Sequence, residues 1–317
     1  MKTILFLCPD DEKPSGGVRR MYRYVDILNE AGFAAYILHQ KEGFRCRWFE
    51  NNTRIAYVVE DKVAIQGRLD YLVLPEIFGP TTGRIGRGIR KVILNQNPYL
   101  TFRGYSFDKD DFTTPYLDPE TVAVLVVSHD SEQYLRCAFP KQRIVRIHYS
   151  VDPNFYRYHA QKKPRIAFMP RKNPEDLLQV INILKFRGAL KEYEIVSIDK
   201  VPEQQVAEIL RETLIFLCFS HPEGWGLPAA EAMSSGCVVI GYHGMGGMEY
   251  FKEEFCHPIE YGDILGFART VEDVLGLHRK NPAALVEKGR LASEFMRRNH
   301  HPDQEKKDLL NFWTNLA

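Results

Sequence analysis

The six cysteines of this 317-residue chain form no Cys-x-x-Cys pair and its ten histidines show no ligand spacing, so no metal site is expected. No apolar run is long enough to span a bilayer. An excess of either charge is lacking too. Forty-two Lys and Arg stand against 41 Asp and Glu, a net of +1, which argues against nucleic acid as a partner and gives membrane association no support. The first strand is not followed by Gly-x-Gly-x-x-Gly, so a dehydrogenase is unsupported. Met1–Pro9 is too short in its apolar run for a signal peptide, and Asp10, Asp11 and Glu12 follow at once. Buried free thiols, with Cys218 and Cys237 inside apolar runs, and a cytoplasmic location are the expectation.

A hydrophobic fraction of 44% and a charged fraction of 26% are ordinary for a soluble globular protein, and the length suffices for two domains. Short apolar runs alternate with amphipathic stretches, the pattern of parallel β-α-β units. In the first half strands are predicted at Thr3–Leu7, Ala34–Leu38, Tyr71–Leu74, Lys91–Leu94 and Val122–Val127, with a helix over Val18–Ala31 stopped by Gly32. In the second half strands are predicted at Arg165–Met169, Tyr193–Ile198, Leu214–Phe219 and Val238–Gly241. Helices are expected at Pro174–Arg187, Pro202–Arg211, Pro228–Ser235 and Gly247–Glu253, several opening on proline. The polar stretch Gln161-Lys162-Lys163-Pro164, after His148–Tyr156, reads as the connection. Domains are therefore expected at 1–150 and 151–301, each a doubly wound α/β unit. A helix over 302–317 is expected to pack back toward the first. Ligands of such folds sit at the carboxyl edges of the sheets, and two facing units would leave a cleft there.

One segment carries more chemistry than the rest: His221-Pro222-Glu223-Gly224-Trp225-Gly226-Leu227-Pro228-Ala229-Ala230-Glu231-Ala232-Met233-Ser234-Ser235-Gly236. Its two glutamates have seven residues between them, one in a glycine-rich loop and one in a helix that begins at proline. Carboxylates placed so can each accept hydroxyl hydrogens from a polyol, and a negative charge is favoured in the first turns of a helix. Further on, Gly244-Met245-Gly246-Gly247 follows a strand and can aim bare backbone N–H groups at a diphosphate. Glu249 has helix capping as its simplest task. Two features are set aside. Asp108-Lys109-Asp110 reads as a solvated acidic turn rather than a metal-holding triplet, and Ser128-His129-Asp130 as a strand-to-helix cap, since consecutive residues cannot converge as a triad.

Taken together, Glu223-Gly224-Trp225-Gly226-Leu227-Pro228, Glu231-Ala232-Met233, Gly236, Cys237–Ile240 and Gly246-Gly247-Met248-Glu249 resemble the retaining glycosyltransferases of the GT-B fold, family 4-like or group 1. The resemblance implies two Rossmann-like domains facing a central cleft. It implies a retaining, metal-independent transfer of sugar from a UDP- or GDP-linked donor to a hydroxyl of a glycan, polysaccharide or lipid-linked acceptor, with no cofactor. Glu223 and the Gly224–Leu227 segment would meet the donor sugar, with Trp225 and Gly226 among its contacts, and Glu231 would hold the ribose. Arg171 and Lys172, Gly16 and Gly17, and Gly246 and Gly247 would serve the phosphates. Glu223, Arg171 and Lys172 would be catalytic, with Arg171 the favoured phosphate contact. Arg19, Arg20 and Asn97 would lie on the acceptor side. Where many relatives carry a histidine, this chain has Asn95-Gln96-Asn97; amides bind sugars but are not bases, and the departing phosphate can take the acceptor proton. Another GT-B activity, epimerase or phosphorylase, and a non-catalytic nucleotide-sugar-binding protein are the alternatives.

Overall fold

The computed structural model describes residues 2–59, 62–63, 70–107 and 113–316, and divides into two compact units, Met1–His148 with Lys306–Ala317, and Tyr149–Glu305. The Asp108-Lys109-Asp110 turn lies outside the described residues.

In the first unit the strands are β1 (Thr3–Leu7), β2 (Ala34–His39), β3 (Ile55–Val59), β4 (Lys62–Val63), β5 (Tyr71–Pro75), β6 (Arg90–Asn95), β7 (Thr121–Val126) and β8 (Ile144–Arg146). They form one sheet in the order β4-β3-β2-β1-β5-β6-β7-β8, parallel except for the β3–β4 pair. The order turns at β1, which carries β2 on one side and β5 on the other. Helix α1 (Gly16–Glu30) connects β1 to β2. Ser15 caps it, and Gly32, at φ +89°, supplies the left-handed stop that Cβ-bearing residues resist. Ser128 caps α2 (His129–Ala138), its Oγ accepting from Ser131 N at 3.1 Å, as the sequence suggested. The C-terminal helix α8 (Pro302–Asn315) returns Trp313 to this unit. Its ring is fully buried, with centroids 6.3 Å from Phe6 and 5.4 Å from Tyr71, while Lys2 Nζ donates to its carbonyl at 3.0 Å.

The second unit holds β9 (Lys163–Phe168), β10 (Glu194–Ser197), β11 (Thr213–Phe219), β12 (Val238–Tyr242) and β13 (His257–Pro258) in the parallel order β10-β9-β11-β12-β13. Every residue of β11 and β12 is buried, as central parallel strands covered on both faces require. The helices are α3 (Pro174–Phe186), α4 (Glu203–Glu212), α5 (Leu227–Ser234), α6 (Ile264–Lys280) and α7 (Pro282–Asn299). The core joins Leu177, Val180 and Leu184 of α3 and Val271 and Leu275 of α6 to Ile215, Leu217, Val238 and Ile240 of the strands. Among the described residues no helix is long and apolar enough to cross a membrane.

Lys162, read from the sequence as part of the polar connection between the domains, is a structural cation. Its Nζ donates to Ser235 O at 2.7 Å, Arg211 O at 2.9 Å and Leu210 O at 3.4 Å, closing the carboxyl ends of α4 and α5 together. Burial pushes its ammonium below the usual lysine range. Lys162→Met keeps the stem's packing but removes the donor to Ser235 O and Arg211 O, while Leu210 O retains the Thr213 N–H and the Cys237 thiol. It is expected to destabilise the unit by about 2–3 kcal/mol, read as a drop in the denaturant midpoint at unchanged slope.

Candidate functional site

Three adjacent strands of the second unit, β9, β11 and β12, end at one edge of the sheet, and their following loops are tied together. After β9, Asn173 takes a left-handed backbone (φ +42°) and donates its side-chain amide to Phe219 O and Ser220 O, both at 3.2 Å, so the first loop is pinned to the end of β11. Tyr261 Oη in turn donates to Asn173 Oδ1 at 3.3 Å. After β11 and β12, Glu223 and Met245 form an isolated parallel bridge. Glu223 N donates to Gly244 O at 2.9 Å, and Gly246 N donates to Glu223 O at 3.2 Å. The strand pairing thus continues one step into the loops and fixes the Glu223 backbone.

Met245 sits at φ +64°, ψ −67°, with Gly246 N bonded to Gly244 O at 2.8 Å, which makes it the centre of a strained γ-turn. Strain of this kind on a non-glycine residue persists where the surroundings over-determine it. Gly246 follows under still tighter packing. A Cβ there would lie 2.1 Å from Gly224 O and 2.7 Å from Glu223 O.

The side chain of Glu223 is 15% exposed, and its Oε2 is ion-paired to the ammonium of Lys172, which is 27% exposed. Its other oxygen, Oε1, is buried with no hydrogen-bond partner. Beside that oxygen lies Gly226 (φ +88°), whose absent Cβ would stand 3.6 Å from Oε1 and only 2.7 Å from Tyr250 Oη. Glycine therefore both permits the turn into α5 and leaves room next to the unused acceptor. Tyr250 Oη shares its proton between Trp225 O at 2.7 Å and Gly226 O at 2.6 Å, holding the glycine-rich loop. Burial keeps that phenol protonated, with the charges of Cys218 and Glu223 adding to the upward shift.

The remaining expected residues are placed as follows. Glu231 lies in the second turn of α5 and is 7% exposed. Arg171 is exposed, and Lys172 is the cation at Glu223. The Trp225 ring faces the protein and not open space. It is 2% exposed, packs edge-on against Tyr149, Tyr250 and His300, and donates Nε1–H to Glu249 Oε1 at 2.7 Å. Its side chain is therefore a buried anchor of the loop, and Glu249 accepts from it rather than acting only as a helix cap. Leu227 opens α5 half-buried, and Gly224 is buried. Gly246 and Gly247 do not present bare N–H groups: Gly246 N is bonded to Gly244 O and Glu223 O, and Gly247 N to His243 O at 3.1 Å. The helix expected at Gly247–Glu253 is a single 3-10 turn, Gly246–Glu249, because the γ-turn feeds it.

In the first unit Gly16 and Gly17 are the opening residues of α1 rather than a free loop, and Gln96 Nε2 donates to Gly17 O at 3.3 Å. Arg19 is half-buried and Arg20 is 6% exposed, so Arg20 is no solvated helix face. Asn97 Oδ1 accepts from Tyr99 N at 3.1 Å and caps the short turn Pro98–Leu100. Among the described residues no three His, Cys, Asp or Glu side chains gather as metal ligands. Asn173, Tyr250, Tyr261 and the γ-turn at Met245 carried no sequence signal of their own.

Residues 188–291, about a third of the chain, match the family model described as Glycosyl transferases group 1. An α-1,6-glucosyltransferase of Actinobacillus pleuropneumoniae serotype 7 is 25% identical over 158 residues, 49% of this chain; the chain thus spans about half the length of this curated relative, 46%. Among solved structures, the sucrose-phosphate synthase of Thermosynechococcus elongatus superposes over 100% of this chain and 99% of its own, with a TM-score of 0.71 at 12% identity. Anabaena HepE, solved with UDP and glucose, superposes over 100% of both chains with a TM-score of 0.65 at 12% identity.

Proposed function

From a GT-B fold whose residues 188–291 match the Glycosyl transferases group 1 family, we propose that this protein moves a sugar from a nucleoside-diphosphate donor to a hydroxyl acceptor, with retention, without a metal ion, and in the cytoplasm. The observation that carries this reading is Glu223. One carboxylate oxygen is neutralised by Lys172, and the other is buried, unpartnered and flanked by a glycine. A buried acceptor without a donor is costly unless a ligand hydroxyl supplies one. HepE, similar over its whole length, binds UDP-glucose, and the curated relative is a glucosyltransferase, so a UDP-linked hexose is the first donor to try, with GDP-linked sugars second.

In this scheme Glu223 Oε1 orients a hydroxyl of the sugar and Glu231 takes the ribose diol. Lys172, with Arg171 reaching in from its exposed position, offsets the charge that gathers on the diphosphate as the bond from C1 to its oxygen breaks. The acceptor oxygen bonds to C1 from the same face, and its proton passes to the departing phosphate. Gly246 acts by bracing the Glu223 backbone, while Gly247 N ties the turn to His243 O. The acceptor, a carbohydrate or glycolipid, is assigned to the first unit, which carries Arg19, Arg20 and Asn97, while Gly16 and Gly17 are kept for the donor phosphates.

A screen of UDP- and GDP-sugars by thermal shift tests the donor. A ligand at a hundredfold excess over its Kd adds about 2.7 kcal/mol of stability, and the cognate nucleotide should separate from the rest. Release of UDP or GDP with and without chelator then tests the chemistry, with equal rates expected. A strict divalent-ion requirement would overturn the metal-independent mechanism. Tight nucleotide binding with no turnover for any acceptor would instead make this a binding protein.

A further inference from the structure

The sheet of the first unit reverses its strand order at β1, and parallel sheets receive ligands at the carboxyl ends of the strands flanking such a point. Three segments leave there: the start of α1 after β1, Glu76 after β5, and the amide run Asn95-Gln96-Asn97 around the end of β6. Contacts join them. Strands β5 and β6 pair in parallel with Pro75 opposite Leu94, so Glu76 and Asn95 leave the sheet side by side, and the backbone N–H groups of Gln96 and Asn97 lie near enough to the Glu76 carboxyl to oppose its upward shift. Gln96 Nε2 then donates to Gly17 O at 3.3 Å, and a Cβ on Gly17 would come within 3.1 Å of that nitrogen, so the seat admits only glycine without movement.

Glu76 is 5% exposed, yet its Oε2 has no hydrogen-bond partner. Nearby Asn95 is in the same state. Its amide nitrogen donates to Thr101 Oγ1 at 2.9 Å and Tyr116 Oη at 2.7 Å, while its Oδ1 is buried and unpartnered. A carboxyl so placed is poor material for a core. An apolar side chain would avoid the desolvation, and groups kept against stability gather at functional sites.

We infer that Glu76 is a positioning residue for the acceptor: it holds the Gln96–Asn97 loop against the start of α1 and so fixes where the acceptor hydroxyl is received. This rests on the sugar-transfer reading and on the acceptor belonging to this unit. Burial pushes the carboxyl from 4.5 up to about 7, opposed by the backbone N–H groups of Gln96, Asn97 and Glu76 itself. Among the described residues Tyr116 is the titratable group coupled to it; burial first and then Glu76 raise that phenol, with Tyr105 a further neighbour of Tyr116. A carboxyl raised in the folded state contributes stability that is complete below about 4.5 and is lost as pH rises through about 7. Its hold on the loop changes over the same window.

Glu76→Gln tests this by hydrogen exchange of the Gln96 and Asn97 amides, by melting from pH 5 to 8.5, and by kinetics with UDP-glucose and methyl α-D-glucopyranoside. The variant should exchange these amides faster, and the difference in melting temperature between the two proteins should change through pH 7. The acceptor kcat/KM should fall roughly tenfold and lose its inflection near 7, while the donor KM stays within twofold. Unchanged exchange, or donor and acceptor constants falling in parallel, overturns the inference. If Glu76→Gln does not fold, Gln96→Ala removes the side-chain amide that reaches Gly17 O; it should weaken acceptor use and retain the pH inflection, and wild-type acceptor kinetics there overturn the inference. Wild-type protein that turns over no donor would instead remove the sugar-transfer reading and with it the acceptor role, leaving exchange to decide whether Glu76 holds the loop.

Discussion

Glu223→Gln should lower sugar transfer by roughly 10²–10³-fold while leaving the protein folded and nucleotide binding within a few-fold of wild type. The substitution is nearly isosteric and tests charge alone. In the native site the carboxylate divides its work, Oε2 to Lys172 and Oε1 to a buried position with no donor. An amide leaves Lys172 without its counter-charge and replaces one acceptor by a donor that a sugar hydroxyl meets less well. Glu231, the residue proposed for the ribose, is untouched, so the loss should appear in kcat more than in nucleotide affinity. Lys172→Met should also lower transfer, but through the diphosphate, and should weaken nucleotide binding. Because the two side chains touch, the double variant should depart from additivity by about 0.5–3 kcal/mol. Turnover measured by nucleotide release, alongside calorimetry with UDP, separates these effects. Transfer by Glu223→Gln within threefold of wild type would remove Glu223 from the chemistry.

What could be read from the sequence followed from burial. Strands β1, β11 and β12 lie inside their sheets, so apart from the opening Thr3 and Thr213 they carry no polar side chain but the Tyr242 phenol, and they announced themselves within a residue or two of their true bounds. Strands β3, β4, β8 and β13 did not. They lie toward the sheet edges, and β4, β8 and β13 have only two or three residues each. Helices α6 and α7 escaped notice although both are long. At the site, the sequence named Glu223 and the glycines, because their types are unusual in that order. The family resemblance placed Trp225 among the donor-sugar contacts; its indole N–H goes to Glu249, 24 positions away. No local pattern could signal that partner. The same holds for Lys162, whose three acceptors lie 48 to 73 positions along the chain.

The glycine pair tests that distinction most sharply. If Gly246 and Gly247 served by aiming bare N–H groups at phosphate, alanine at either position would do similar harm, since alanine keeps the N–H. Packing gives a different expectation. A Cβ on Gly246 meets backbone, Gly224 O at 2.1 Å and Glu223 O at 2.7 Å, and backbone on a bridged loop cannot yield cheaply. A Cβ on Gly247 meets only side chains, the nearest being Tyr250 Oη at 3.2 Å. Gly246→Ala must therefore break the Glu223–Met245 bridge, displace the Glu223 backbone and release its carboxylate from Lys172. The expected result is a loss of about 1–3 kcal/mol in stability together with at least a 10²-fold fall in transfer, since small displacements of an orienting group are expensive. Gly247→Ala should keep most of both. Gly262→Ala supplies the control for backbone strain alone, because that residue sits at φ +84° in open space. It should lower stability by about 1 kcal/mol and leave transfer unchanged. Equal losses at Gly246 and Gly247 would mean that the turn works through its N–H groups, and that the bracing of Glu223 by packing is incidental.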